Sequence, residues 1–223
     1  MRDTMDFDEA IRTRHSVRQY TEQKIEGEVL EKLQAEIDRI NSETGMRIEL
    51  VLDEPTAFNR FMLKGFMKFK NAVNYLDIIG PESDDLNVMA GYCGEHLVLF
   101  AQTLGLRTCW AMMAKNTDTV RDDGCRAVIK ISIGYGENDG KQHKNKAVSE
   151  VADLTDAPDW FVKGVDYAMM APTGVNRQGF KFERDGNKVR LIAASTTLAQ
   201  IDAGIVKYHF ECGAGLENFS WMD

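Results

Sequence analysis

Residues 14–18 have the side chains best suited to bind an anion. Arg14 and Arg18 place two guanidinium groups four residues apart, and His15 and Ser16 stand between them. At a helix end the two arginines would share a face; in an extended stretch, residues 14, 16 and 18 would point the same way. Either geometry directs two forked donors and a hydroxyl at one spot, which suits a phosphate dianion or the polar edge of a heterocycle.

A second basic group follows a predicted strand and consists of Lys141, His143, Lys144 and Lys146. The chain as a whole is acidic, with 27 Lys+Arg against 35 Asp+Glu, a net charge of −8 and a pI near 5.1. Such a chain repels a nucleic-acid backbone, so this class of partner is not expected. Two local basic clusters in an acidic chain favour a bound anionic cofactor; the alternative is ordinary solvated surface charge.

The segment 171–178, Ala-Pro-Thr-Gly-Val-Asn-Arg-Gln, supplies neutral polar groups for a site. Pro172 should end the preceding helix. Thr173, Asn176 and Gln178 can donate and accept hydrogen bonds, and Gly174 allows a ligand close to the backbone. The alternative is a helix stop followed by a turn into the next strand.

Other catalytic signatures are missing. Ser132 and Ser149 lack a nucleophile elbow, and no P-loop is present. The glycines of residues 134–140 miss the dinucleotide fingerprint by one residue and lead into a basic loop rather than a helix. Cys93 and His96 would share a helix face, but a zinc site needs further ligands, so we expect no metal.

Length and composition indicate a globular protein of one large domain. The 223 residues are 43% hydrophobic and 28% charged, and they can bury a core without covalent staples. The start of the chain has no apolar segment like that of a signal peptide, and no stretch is long enough to span a bilayer. The four cysteines form no CxxC pair, so we expect reduced thiols and a cytoplasmic location. They are Cys93, Cys109, Cys125 and Cys212.

Hydrophobic periodicity predicts alternating helices and strands. Helices are expected over residues 8–14, 27–40, 86–104, 159–170 and 197–212, the third apolar nearly all round and therefore central. Strands are expected at MRIELVLDE, NYLDIIG, RTCWAMM and AVIKISIGYG, and a hairpin turns at residues 185–187. Residues 58–70 have helical spacing and predict an amphipathic helix; the alternative is a lid over an active site.

Two blocks of the chain share one order of elements. Each has a helix, two strands, a longer helix, a Gly-Leu pair and a Trp, at residues 105–110 in the first block and 215–221 in the second. This order predicts one domain over residues 1–223, built from repeats of approximately 1–115 and 158–223 with a strand and basic loop between them. The alternative is coincidence among common elements. The expected fold class is α+β, with a mixed, mainly antiparallel sheet around central buried helices.

Four segments together resemble the FMN-dependent nitroreductase family. RTRHSVRQY is similar to its N-terminal flavin motif, and APTGVNRQGFKF to its Ala-Pro-Ser-x-x-Asn-x-Gln-Pro-Trp-x-Phe segment. GEHLVLFAQTLGLRTCW resembles its central helix, and ISIGYG followed by HKNK its Ile-Gly-Tyr strand and basic pair. Thr173, Gly179 and Phe180 depart from the pattern, which affects the substrate pocket more than the flavin.

The order of the motifs resembles a divergent, Thermotoga-type branch in which one chain mimics the usual dimer. The segment at Pro172 lies more than 150 residues after Arg14, whereas ordinary members have it soon after the first motif. Neither repeat contains both motifs. The first repeat has SETGMRIEL where the segment at Pro172 would be, and the second has KGVDYAMM where the arginine motif would be. The resemblance therefore implies one FMN per chain and a monomer, with weak homodimerisation as the alternative.

The resemblance also implies roles for individual residues. Arg14 and Ser16 would hold the phosphate and ribityl chain, Arg18 would lie near the pyrimidine edge, and His15 would contribute through its backbone or ring. Lys144 and Lys146 would reach the phosphate. The ring would be lined by residues from two further segments, namely Ala111, Met112 and Met113, and Pro172, Thr173, Gly174 and Asn176.

The implied activity is an FMN oxidoreductase. NADH or NADPH would reduce the flavin, and a nitroaromatic, quinone or similar small molecule would then take the electrons at the same position. The flavin does the chemistry, so no catalytic side chain is expected. The alternatives are a same-fold flavin dehydrogenase or dehalogenase, and a flavin-binding or redox-sensing module without turnover.

Overall fold

A computed structural model describes residues 6–222. The expectation about a signal peptide concerns the start of the chain, and residues 1–5 of it lie outside the described part. The described chain divides into two compact units. The first unit contains the residues up to Leu86 together with His96–Gln142, and the second contains Asn87–Glu95 and the residues from His143 onward.

Two helices open the first unit. Helix α1 is Phe7–Thr13, and the Asp6 side chain caps it by accepting from the backbone N–H of Glu9 at 2.8 Å. Helix α2, Gly27–Thr44, buries Leu33, Ile37 and Ile40 along one face. It ends at Gly45, whose φ of 74° is the left-handed conformation that glycine adopts most readily. The helix therefore ends four residues beyond the predicted end at residue 40.

The sheet of the first unit is antiparallel throughout. Its strands are β1 (Glu49–Val51), β2 (Tyr75–Pro81), β3 (Arg107–Ala111), β4 (Thr119–Val120) and β5 (Cys125–Gly134). The order is β1-β2-β5-β3, and β4 also pairs with β5. Strand β5 is therefore central and almost wholly buried, including Lys130, which pairs with Asp77 on β2 at 2.6 Å. Strand β1 is much shorter than the predicted MRIELVLDE.

The predicted helix over residues 58–70 is wrong. The structure has only a π-helical turn at Met62–Phe66 there. Phe58, Leu63 and Phe69 are buried at irregular spacing, and Lys68 has a φ of 59°, which no right-handed helix allows. Aromatic residues and Gly65 have weak helix propensity, so packing of the rings decides the backbone instead.

Helix α3, Leu86–Thr103, is one continuous helix whose residues Asn87–Glu95 group with the second unit. It is buried nearly all round, as its lack of a polar face predicts. After Leu104 the chain turns at Gly105, which has a φ of 81°.

The second unit combines two helices with a small sheet. Helix α4 is Asp159–Ala168 and helix α5 is Thr197–Ala214. Strands β6 (Phe180–Asp185) and β7 (Lys188–Ala193) form the predicted hairpin, with Asp185 opposite Lys188, and β8 (Ser220–Trp221) pairs parallel with β7. Rings pack beneath this sheet around Phe210, which contacts Phe161, Phe182, Phe219 and Trp221.

Two glycines allow α3 and α5 to touch within the second unit. A Cβ added at Gly91 would lie 2.0 Å from the carbonyl oxygen of Ile201, and one at Gly204 would lie 2.0 Å from that of Val88. The helices therefore pack backbone against backbone, which only glycine permits here. The mixed, mainly antiparallel α+β class is confirmed.

Candidate functional site

The arginine segment is extended and lies along β3. Helix α1 ends at Thr13, and Arg14 follows it as the C-cap with only 4% of its surface exposed. Ser16 forms a parallel bridge with Thr108, and the backbone N–H of Val17 donates to the Thr108 carbonyl at 2.9 Å. Of the two geometries open for this segment, the structure has the extended one, which directs Arg14, Ser16 and Arg18 to one side.

Cys109 lies beneath this segment and was not singled out from the sequence. Its thiol donates to the Trp110 carbonyl at 3.5 Å, and the side chains of Ser16 and Arg18 lie close to it. Burial raises the pKa of the Cys109 thiol, and the positive charges of Arg18 and Arg14 only partly offset this. The thiol therefore stays neutral, and the two guanidinium charges are not cancelled by a thiolate.

Arg18 carries a donor that its surroundings do not satisfy. Its Nε is buried and has no hydrogen-bond partner among residues 6–222. The backbone around it is fixed, since the Arg18 carbonyl accepts from the N–H of Lys70 at 2.9 Å. A buried donor without an acceptor is costly, so this Nε needs an acceptor that residues 6–222 do not provide.

A buried tyrosine supports the arginine segment from behind. The Tyr20 hydroxyl donates to the Val17 carbonyl at 2.7 Å and lies 2.7 Å from the Ser132 hydroxyl on β5. Burial raises the pKa of Tyr20 well above its usual value, so it remains a neutral structural partner.

His15 is contacted by the loop that follows β5. Gly140 has a φ of 76°, and a Cβ added there would lie 2.8 Å from the Cβ of His15. The basic loop therefore leaves the first unit directly against the arginine segment, and this close approach explains the glycine.

Ala111, Met112 and Met113 lie at the end of β3. Ala111 is buried in the same apolar cluster as Val17, whereas Met113 is 41% exposed. The Thr117 hydroxyl donates to the Met112 carbonyl at 2.6 Å and fixes the turn. The structure thus gathers the candidate residues of the first unit along one strand.

In the second unit, Gln178 joins the basic loop to the segment after Pro172. Gln178 is only 1% exposed. Its Oε1 accepts from the N–H of Lys146 at 2.8 Å, and its Nε2 donates to Asn145 Oδ1 and the Met169 carbonyl, both at 3.2 Å. The sequence predicts Gln178 as a polar group of the site, but in the structure its side-chain amide is fully used in hydrogen bonds within the protein.

The two lysines and Asn176 are also held by this network. The Asn176 amide donates to the Lys144 carbonyl at 2.8 Å, and Lys146 Nζ donates to the Gln178 carbonyl at 3.1 Å. His143 Nε2 lies 3.0 Å from the Met169 carbonyl. The predicted residues Lys144, Lys146 and Asn176 are thus brought together.

Asp202, on the second turn of α5, is a further residue that sequence reasoning missed. Both of its carboxylate oxygens accept from the backbone N–H of Gly174, at 2.9 and 3.0 Å. A signal was available, since Asp202 is the only charged residue between Thr197 and Val206 in an otherwise apolar and neutral run. A carboxylate on such a helix needs a specific partner.

The family described as "Putative TM nitroreductase" matches residues 6–214. The chain belongs to this family. The match includes the arginine segment, the basic loop and the segment after Pro172, so all the candidate residues lie inside the nitroreductase region. No curated protein matches the chain at a significant level.

Solved structures agree with the nitroreductase fold. A "putative nitroreductase" of Thermotoga maritima aligns with a TM-score of 0.69 and 23% identity, covering 94% of this chain and 84% of that one. A "putative NAD(P)H:FMN oxidoreductase" of Staphylococcus epidermidis aligns with a TM-score of 0.53 and 15% identity, covering 67% and 96%. A "putative nitroreductase in complex with FMN" of Exiguobacterium sibiricum has a TM-score of 0.52 and 15% identity, covering 68% and 98%.

None of the helices in residues 6–222 combines the length and apolarity needed to cross a bilayer. No three His, Cys, Asp or Glu side chains in that range group closely enough to ligate a metal ion.

Proposed function

We propose that the protein is an FMN-dependent oxidoreductase. It takes electrons from NADH or NADPH and passes them to a nitroaromatic, quinone or similar small acceptor. Membership in the nitroreductase family supports the reaction class. The names of the S. epidermidis and E. sibiricum proteins, which mention NAD(P)H and FMN, support the donor and the cofactor.

The observation that carries the proposal is Arg18. Its buried Nε needs an acceptor that residues 6–222 do not provide. The pyrimidine edge of a flavin is rich in acceptors, and a neighbouring phosphate would suit Arg14. The donor set therefore fits FMN, which also has the terminal phosphate that Lys144 and Lys146 would bind.

Bound FMN would supply the electron transfer itself. The chain's own contribution is orientation and charge. A fixed Arg18 favours negative charge at the flavin edge and so stabilises the reduced form. Cys109 and Tyr20 are neutral, so neither offsets the positive charge of Arg18. No side chain has to act as a catalytic acid or base.

We propose that FMN binding depends on both motifs. One comprises Arg14, His15, Ser16 and Arg18 with Ala111–Met113, and the other comprises Lys144 and Lys146 with Pro172–Gly174 and Asn176. Variants in either motif should weaken FMN binding, because each motif supplies donors that the other lacks.

The test is anaerobic reduction of the FMN-reconstituted protein. NADH or NADPH should bleach the visible flavin band, and a quinone or nitroaromatic should restore it over repeated cycles. If neither NADH nor NADPH bleaches the flavin band, a flavin-binding module without turnover is favoured. Failure to take up FMN, or recovery of FAD after heat release, would contradict the proposal.

A further inference from the structure

The segment after Pro172 has an unusual backbone. Val175, Asn176 and Gln178 have φ values of 50°, 53° and 43°, the left-handed region that disfavours residues with a side chain. Val175 is β-branched and 86% exposed, so its conformation is not compensated by burial. A loop with three such residues needs strong anchors.

Two anchors hold the loop at its ends. The backbone N–H of Gln178 donates to the Thr173 hydroxyl at 3.0 Å, while the N–H of Gly174 donates to both oxygens of Asp202. Gly174 also sits tightly on α5, because an added Cβ would lie 2.7 Å from Leu198. The Asp202 carboxylate is thus the charged group that ties the strained loop to the helix.

We propose that Asp202 is a positioning residue that holds the loop Thr173–Gln178 in its cofactor-binding conformation through the N–H of Gly174. The proposal rests on the proposed function, which gives this loop to FMN. It adds a residue outside the motifs that carry the family resemblance.

The electrostatics of Asp202 separate this role from general stabilisation. Burial raises the pKa of Asp202 to about 6, while the Gly174 N–H and the positive charge of Arg177 act in the opposite direction. One further cation contacts the loop at its other end, where Lys146 Nζ donates to the Gln178 carbonyl at 3.1 Å.

The sign of the effect on folding follows from this pKa. The folded protein holds the Asp202 proton more tightly than the unfolded chain, so stability from this group is lost as pH rises from about 4 to about 6. The ionised carboxylate therefore costs folding stability at neutral pH. The contacts of Asp202 with the loop, by contrast, favour the ionised carboxylate. At neutral pH, Asp202 therefore holds the loop more firmly while it lowers the free energy of unfolding of the whole protein.

Asp202→Asn, Asp202→Ala and the control Gln200→Ala test the proposal. Gln200 lies on the same helix, two residues earlier, and accepts from Asn87 at 2.7 Å rather than from the loop. We expect Asp202→Ala to weaken FMN binding by about ten- to a hundredfold, the equivalent of one hydrogen bond to a charged group. Asp202→Asn keeps one acceptor and should have a smaller effect in the same direction, and Gln200→Ala should leave affinity unchanged.

A second measurement needs no cofactor. Amide exchange of residues 174–178 in the FMN-free protein should be about tenfold faster or more in Asp202→Ala than in the wild type or Gln200→Ala. The Gly174 amide resonance should titrate with a midpoint near pH 6 in the wild type and not in Asp202→Asn.

The melting temperature and the FMN affinity of Asp202→Asn should change in opposite directions. Asp202→Asn should melt at a higher temperature than the wild type at neutral pH, a difference that shrinks as the pH falls, although its FMN affinity is lower. The positioning role would be overturned if Asp202→Ala bound FMN as tightly as Gln200→Ala does, or if its amide exchange at residues 174–178 were unchanged. If the wild type binds no FMN, the proposed function fails, and the exchange rates alone still decide whether Asp202 holds the loop.

Discussion

At the scale of single residues, Arg14 and Arg18 should contribute differently to the flavin. Arg14→Ala should weaken FMN binding by about 1.5–3 kcal/mol, because it removes charged hydrogen bonds to the phosphate. Arg18→Ala should cost less affinity but lower the reduction potential and slow flavin reduction, because Arg18 stabilises negative charge at the ring. Affinity, potential and stopped-flow reduction measure these effects.

Arg12→Ala is the matched control for both substitutions. Arg12 lies two residues before Arg14, is half exposed and pairs with Asp8 at 2.9 Å. An exposed pair of this kind contributes little, so FMN affinity and melting should stay near the wild type. Equal losses of FMN affinity in Arg14→Ala and Arg18→Ala would show that the two roles are wrongly divided.

The sequence predicts Arg14, Ser16, Arg18 and Asn176 as site residues because each belongs to a short motif. Cys109 and Asp202 were not predicted as site residues, because they are distant in sequence from those motifs. Cys109 lies near Ser16 and Arg18 across some 90 residues, and Asp202 accepts from Gly174 across 28 residues. Contacts of this kind depend on tertiary packing, which local spacing does not encode.

At the scale of elements, a buried hydrogen bond joins α3 to α5 in the second unit. Glu95 Oε1 lies 2.8 Å from His209 Nε2, both side chains are fully buried, and His209 Nδ1 donates to the Tyr167 carbonyl at 3.1 Å. Glu95→Leu or His209→Leu should each destabilise the fold by about 1–3 kcal/mol, because each removes one partner of a buried hydrogen bond. The double variant should recover most of this loss.

Urea unfolding of the three variants measures that pattern. Lys32→Ala, which breaks an exposed pair with Glu28 on α2, should change stability by less than about 0.5 kcal/mol. Additive losses in the double variant would contradict a direct energetic coupling between Glu95 and His209.

The glycine contact between α3 and α5 gives a second element-scale prediction. Gly91→Ala and Gly204→Ala each place a Cβ 2.0 Å from a carbonyl oxygen, so each should cost about 1–3 kcal/mol or more through overpacking. Gly65→Ala is the control, since its Cβ would meet nothing closer than 3.9 Å. Thermal unfolding distinguishes them; equal stability of all three variants would refute the close contact.

Most elements could be predicted because their apolar periodicity agrees with their burial. Helix α2 has an apolar stripe, α3 and α5 are largely apolar over a helical length, and the hairpin at Gly186 has turn residues; all four were predicted. Residues 58–70 have helical spacing too, but Phe58 and Phe69 stack with ring centroids 5.3 Å apart, and this packing replaces the helix. Periodicity alone cannot foresee such a tertiary override.

At the scale of the whole molecule, we propose that the chain is an internal duplication. An antiparallel strand pair, an 18-residue helix and a short strand occur twice in order, as β1-β2-α3-β3 and β6-β7-α5-β8. The final strands pair differently, since β3 is antiparallel to β5 and β8 is parallel to β7. Only the first block has the arginine motif and only the second has the segment after Pro172, so the duplication is complementary rather than symmetric.

The ratio of bound FMN to protein chain at saturation tests the central claim most directly. The apoprotein is titrated with FMN, and flavin absorbance is compared with protein concentration after removal of free cofactor, with light scattering giving the mass of the same species. Since each motif occurs once per chain, we expect one FMN per chain in a monomer. A ratio near two, or no retained FMN, would contradict the account.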